Sequence, residues 1–346
     1  MDKLEFETDE ILREEIYASP QIETGQRLHG GFDAEGRYRS PRMACRGPAL
    51  VAWRRSLLAR GGQCMETDSS LLAGIRYPSA EQSKFLLQEG LGQSFWNVLT
   101  VTGRIEGRGR VLADMKFPDF QDVVVEDISA MALGHLGKGL LAAHGLDEGG
   151  ELEKGIGGHD AMWFALRDLA FGDVDYPEPE VPENIGRPGA QDDEPARISA
   201  PHNQLIEFLL NLLLIEFRAE RGFALTESLL RDPELFQGRR AEAEHAAVIV
   251  DRIRQDETVH VDSLRLYLGE LQHLHLETLD GGVVEGREIV DPFWQTLVHW
   301  ATQEQPQLAA QQQRVLMQKR IARHPEAERV QKAFDALEER PVSAAP

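Results

Sequence analysis

The stretch from Ile249 to Leu264 constrains this chain most. It reads as one long helix with Glu257 and His260 set in the middle of an apolar stripe. Counting by helical steps from Glu257, the neighbours on its face are Ile249, Val250, Ile253, Val261, Leu264, Leu268 and Leu271. A spacing of three puts carboxylate and imidazole on adjacent turns of one face, so both point at one spot. Burying such groups unpaired costs roughly several kcal/mol, so the pattern asks for a partner, and a metal ion supplies one. The same helix holds two further Glu-x-x-His matches, Glu242/His245 and Glu270/His273. The first lies near the helix start, partly off the stripe, and the second falls opposite it. Only the middle pair is central and inward.

The surrounding chain organises itself around that helix. Helices are predicted over Val123–His144, ended by Gly145, then Gly158–Phe171, Asn203–Phe223 and about Ala241–Leu271. Between the second and third lies a connector of roughly thirty residues, Gly172 to about His202, rich in Pro, Asp and Glu and long for a compact domain. Helix, short link, helix, long crossover, helix, short link, helix is the order of a four-helix bundle with a single crossover. The predicted class is therefore all-α. The bundle occupies residues 116–280, with an N-terminal helical and irregular extension over 1–115, C-terminal helices over 281–340 and a disordered tail over 341–346. In the extension, Ala49–Leu58 and Gln82–Leu99 are predicted helical, while the glycines at 103, 107 and 109 read as turn punctuation.

Other polar residues sort by face. Glu216 falls with Leu205, Leu209, Leu212, Leu213 and Phe223 and is the carboxylate of its helix expected to be buried, with Glu220 one turn further. Glu126 lies in line with Ala130, Leu133, Gly137 and Leu140; His135 and His144 do not converge with it on one helix. His159 shares a face with Met162, Trp163 and Leu166, while Asp160 points elsewhere.

Glu126, His159, Glu216 and the Glu257-x-x-His260 pair, in this helix order, resemble the ferritin-like di-iron carboxylate superfamily. There, one Glu from each of two helices and a Glu-x-x-His from each of the other two hold two metal ions inside the bundle. The resemblance covers roughly residues 119–275 and is strongest over Leu212–Phe223 and Asp256–His260. It implies that Glu126, Glu216 and Glu257 hold and bridge the metals, that His159 and His260 cap one each, and that Asp256 orients His159. One departure stands out: the Glu expected three residues before His159 is Ile156. Either Glu153, Glu220 or Asp160 replaces it, or the site holds one metal tightly and the other poorly.

By the same resemblance, the expected cofactor is two iron ions, with manganese as the alternative. The expected activity is oxidation of a small organic substrate by O2, with an electron donor. Met162, Trp163 and Leu213 would line the pocket, and the long extension and crossover would wall it. The oxygen-rich ligand set with two imidazoles and no thiolate suits iron or manganese over structural zinc. The alternatives are a ferroxidase or iron-storage protein and a metal-free helical scaffold. A net charge of −21 argues against nucleic acid and anionic membranes as partners. Two cysteines, Cys45 and Cys64, give no disulfide framework, and the acidic N-terminus has no signal-peptide core, so a cytoplasmic location is expected, with homodimerisation as a further expectation.

Overall fold

The computed structural model describes residues 3–73, 76–188 and 196–338. The 341–346 tail lies outside them. The chain is mostly helical. Two long helices dominate: α7 (Ala200–Arg231) and α8 (Arg240–His273), packed along one another. Against α8 lies α6 (His159–Phe171), and against α6 lies α4 (Gln93–Gly109). A short helix, α5 (Leu141–Gly149), packs on α4 and on the turn that follows it. The remaining elements are α1 (Thr8–Ile11), α2 (Met43–Ala59), α3 (Ala80–Gln88), α9 (Arg287–His299), α10 (Gln305–Ile321) and α11 (Ala327–Glu338). Strands β1 (Ser19–Glu23), β2 (Gln26–Phe32) and β3 (Tyr38–Arg39) form an antiparallel sheet, and β4 (His275–Glu277) pairs with β5 (Val283–Glu285). No helix among the described residues is long and apolar enough to cross a membrane.

The stripe on α8 is buried as its periodicity requires: Ile249, Val250, Ile253, Glu257, His260, Leu264, Leu268 and Leu271 all lie inside. Glu270 is a correction, because it too is buried, accepting the backbone N–H of Ala132 at 3.3 Å and of Leu133 at 2.8 Å. It ties α8 to the start of the segment that leads into α5.

The helix predicted over Val123–His144 does not form as such. Its first residues are three consecutive valines, whose branched Cβ atoms favour extended chain. Val125 donates to the carbonyl of His275 and Glu277 to that of Val123, which makes this stretch an edge beside β4. Helical structure begins only with a turn at Leu133–His135 and a wide turn at Leu136–Leu140, ahead of α5.

The helix packed on α6 is instead α4. Its glycines, read from sequence as a turn, are helical because the neighbouring backbone comes close. A Cβ on Gly103 would sit 3.0 Å from Cβ of Trp163 and 3.2 Å from the carbonyl of Asp160, and one on Gly107 3.3 Å from Cβ of Asp160. These positions let α4 lie directly on α6. The predicted boundary at residue 115 thus runs between α4 and α5, two elements in contact. The predicted helix over Gln82–Leu99 is likewise two helices, α3 and α4, broken at Gly90, whose φ of 75° closes α3.

Gly103→Leu forces the two helices apart and is expected to destabilise the fold by about 1–3 kcal/mol. Gly238→Ala, where a Cβ meets nothing within 4 Å, is the neutral control. Urea denaturation of both variants checks this; equal midpoints would contradict the packing account.

Candidate metal centre

Seven buried side chains from five helices meet in the middle of the structure. From α4 comes Glu106, from α5 His144 and Glu148, from α6 His159, from α7 Glu216, and from α8 Glu257 and His260. They fall into two groups of donor atoms, each within 4.8 Å of one another: Glu106, Glu148, His159 and Glu257, and His144, Glu148, Glu216 and His260. Glu148 belongs to both. In the first group, His159 Nδ1 lies 3.1 Å from Glu257 Oε1, 3.5 Å from Glu106 Oε2 and 3.6 Å from Glu148 Oε1. In the second, His144 Nε2 lies 3.1 Å from Glu216 Oε1 and 3.6 Å from Glu148 Oε1, and His260 Nδ1 lies 3.3 Å from Glu148 Oε1 and 3.9 Å from Glu216 Oε1.

The shorter of these separations, 3.1 and 3.3 Å, match ligands around a common ion, and the others are wider, up to 3.9 Å. Donors held ~2.1 Å from a common ion in octahedral or tetrahedral geometry stand ~3.0–3.4 Å from their neighbours. Glu106 Oε2, His144 Nε2, His159 Nδ1 and Glu257 Oε1 are buried and have no hydrogen-bond partner, although they face one another. Buried polar atoms left unpaired in this way are costly. The charges agree as well, since four carboxylates are cancelled by two divalent ions and not by one.

The ring nitrogens that face away from the group are held by aspartates. His159 Nε2 lies 3.3 Å from Asp256 Oδ2, and His260 Nε2 lies 3.2 Å from Asp147 Oδ2. Each aspartate immediately precedes a glutamate of the site; Asp256 of α8 reaches the histidine of α6, and Asp147 of α5 reaches that of α8. Asp147 is clamped by Arg42 and by Arg46, whose Nη2 donates to Oδ2 at 2.8 Å. Asp256 Oδ2 accepts from the Tyr38 hydroxyl at 2.8 Å and lies 3.1 Å from His29 Nε2. That placement needs β2, which pairs through Leu28 with Gly157.

The Glu/His pair expected as Glu-x-x-His on the helix of His159 is present, but split. Glu148 ends α5 and His159 begins α6, with the loop from Gly149 to Gly158 between them. The loop starts and finishes at one place: a Cβ on Gly150 would lie 2.5 Å from the nitrogen of Gly158, and one on Gly158 2.6 Å from the carbonyl of Glu148. Only glycine permits this closure. Ile156 lies in the excursion, bridged to Glu151.

Of the residues singled out from sequence, Glu216, Glu257, His260 and His159 are brought together, with Asp256 on His159. Glu126 is not among them; it is half-buried and binds His275, its Oε2 accepting the backbone N–H at 3.0 Å and its Oε1 lying 2.6 Å from Nδ1. The strand-like course of Val123–Val125 carries it there, and Glu106 stands where it was expected. Glu153 is exposed, Glu220 is half-buried outside both groups, and Asp160 accepts from the N–H of Ala161 at 2.6 Å; the carboxylate beside His159 is that of Glu148, with Oε1 3.6 Å from Nδ1. Met162, Trp163 and Leu213 are fully buried in packing; Trp163 lies 4.7 Å from the Phe223 ring centroid, and Met162 Sδ accepts from Gln21. A groove of about 720 Å³ between α10 and α11, lined by Gln318, Ile321, Lys332 and Asp335, shares no residue with the centre. Glu106, His144 and Glu148 were missed. The Asp-Glu dipeptide at 147–148, repeated at 256–257, was the available signal.

No family model, curated protein or solved structure matches the chain.

Without ions the site balances its charge with protons. Burial drives the carboxyls of Glu106 and Glu216 well above the usual range, helped by Glu148 and by Glu257 respectively. Burial opposes charge on His159 and His260, but Glu257 and the other surrounding carboxylates outweigh it and hold both imidazoles well above the ordinary value. Glu257 is held well below the usual range, against its burial, by His159 and His260, while Glu148, also against burial and Glu257, sits at about 2. Burial and the charge on His260 pull His144 down to about 3. Glu106, Glu216, His159 and His260 therefore hold protons more tightly than free side chains do, and metal must displace those they carry. Affinity should rise with pH, because groups with raised pKa must be emptied first. Calorimetric titration with Mn(II) at pH 7 in buffers of different ionisation enthalpy is expected to show proton release on binding. Binding without proton release would contradict the site.

Proposed function

We propose that the chain is a dinuclear-metal oxidase or oxygenase of the ferritin-like four-helix kind, using O2 on a small organic substrate. The observation that carries this reading is the pair of donor groups sharing Glu148, buried, rich in carboxylate and free of thiolate. Glu106 and His159 would hold one ion, and His144, Glu216 and His260 the other, with Glu148 and Glu257 between them. Two iron ions bound there supply electrons and open coordination positions for reducing O2. The protein's own part is to orient and to keep dry. Asp147 and Asp256 fix the ring planes of His260 and His159, with the Nδ1 atom of each turned to the centre. Met162, Trp163 and Leu213 belong to the apolar packing that excludes water around it. The clamp on Asp147 comes from α2 and the residue just before it, and His29 and Tyr38 come from the sheet. The N-terminal extension is therefore part of the centre's support.

A metal-free scaffold has one observation in its favour: with protons on Glu106 and Glu216, the His159 and His260 imidazoliums offset Glu148 and Glu257. The two readings separate on oxygen uptake. With reductant present, iron-loaded protein is expected to consume O2 above the rate of the metal-free protein, and His260→Ala to abolish the difference. Glu126→Ala, remote from the centre, should keep it. Equal uptake by loaded and metal-free protein would contradict the proposal. Asp256→Asn, which weakens the hold on His159, is expected to lower metal affinity about 10–100-fold in an equilibrium competition with a chelator; unchanged affinity would contradict the orienting role.

A further inference from the structure

We infer that the two halves of the centre are unlike, that the half built on His144 and His260 fills first, and that it selects iron over manganese. This rests on the dinuclear reading above. Glu148 is common to both halves. Glu257 also spans them, with Oε1 3.1 Å from His159 Nδ1 and Oε2 3.0 Å from His260 Nδ1. Removing these two shared residues leaves one carboxylate and one imidazole on one side, Glu106 and His159. On the other side it leaves one carboxylate and two imidazoles, Glu216, His144 and His260. Along the first-row divalent series, affinity rises from manganese to iron, and imidazole suits iron where carboxylate suits manganese. The His144 half is therefore the discriminating one.

Preorganisation points the same way. His260 is braced by Asp147, which two buried guanidiniums hold in place. On the other side, His159 is braced by Asp256, whose Oδ2 is shared with His29 and Tyr38 and whose Oδ1 has no partner. No guanidinium fixes it among the described contacts. The half that is already fixed loses less freedom on taking up an ion. Once it is filled, the shared carboxylates are partly neutralised, so the second ion meets a weaker site.

The test is anaerobic titration of the metal-free protein with ⁵⁷Fe(II), read by Mössbauer spectroscopy. One equivalent is expected to give a single quadrupole doublet carrying almost all the iron, and the second equivalent to add a second doublet of equal area. With one equivalent each of Fe(II) and Mn(II), only the first doublet should appear while both metals remain bound. Two doublets of similar area from the first equivalent onward would overturn ordered filling, while leaving the dinuclear reading intact. Iron in both doublets under competition with Mn(II) would overturn the selectivity. Failure to bind any iron would overturn the dinuclear reading with it. His144→Ala, provided its circular dichroism matches the parent, should spread the first equivalent over both doublets; an unchanged single doublet would remove His144 from the argument.

Discussion

Four carboxylates enclosed among packed helices set the terms for this structure. Glu106, Glu148, Glu216 and Glu257 are all buried, and an ion left unpaired in such surroundings costs several kcal/mol, on the order of the desolvation penalty for a buried charge. Neutrality is reached in one of two ways. Protons on two carboxyls and on two imidazoles achieve it without metal, and two divalent ions achieve it with every ligand deprotonated. Those two states have the same net charge, so the same shell of helices can close around either. Glu106 Oε2, His144 Nε2, His159 Nδ1 and Glu257 Oε1, buried atoms without a hydrogen-bond partner, all lie in this cluster.

The supporting shell follows a crossed pattern. The aspartate beside Glu257 holds the histidine of α6, and the aspartate beside Glu148 holds the histidine of α8. Helix α8 therefore takes part in both contacts, through Asp256 to α6 and through His260 to α5. The aspartates are in turn held by residues from the first fifty positions, Arg42 and Arg46 on one side and His29 and Tyr38 on the other. This explains why the N-terminal segment packs into the body of the protein. Glu270, further along α8, accepts two backbone N–H groups at the start of the segment leading into α5, and so sets where His144, Asp147 and Glu148 arrive. Its burial pushes its carboxyl up to about 7.

The sequence revealed the residues that lie on long, regular helices. Glu216, Glu257 and His260 stand within apolar stripes on α7 and α8, and helical counting alone placed them inside. His159 was legible because α6 is amphipathic from its first residue. What hid the rest was local. The helix bearing Glu106 has glycines at 103, 107 and 109, which look like a turn until the close approach of α6 to the first two and of Glu148 to the third accounts for them. The pair Glu148 and His159 is divided by a glycine-closed loop, so a fixed spacing of three could not find it. Glu126 was misplaced because three valines adopt an extended course where a helical stripe was counted. His144 was set aside on the assumption of one straight helix from Val123, which the wide turn at Leu136–Leu140 breaks.

Anomalous diffraction at the iron edge from crystals soaked anaerobically in Fe(II) tests the central claim most directly. The expected map has two peaks about 3.5–4 Å apart, one against Glu106 and His159 and one against His144, Glu216 and His260, with Glu148 between them. A single peak elsewhere, or none in crystals that diffract as well as before the soak, would contradict it.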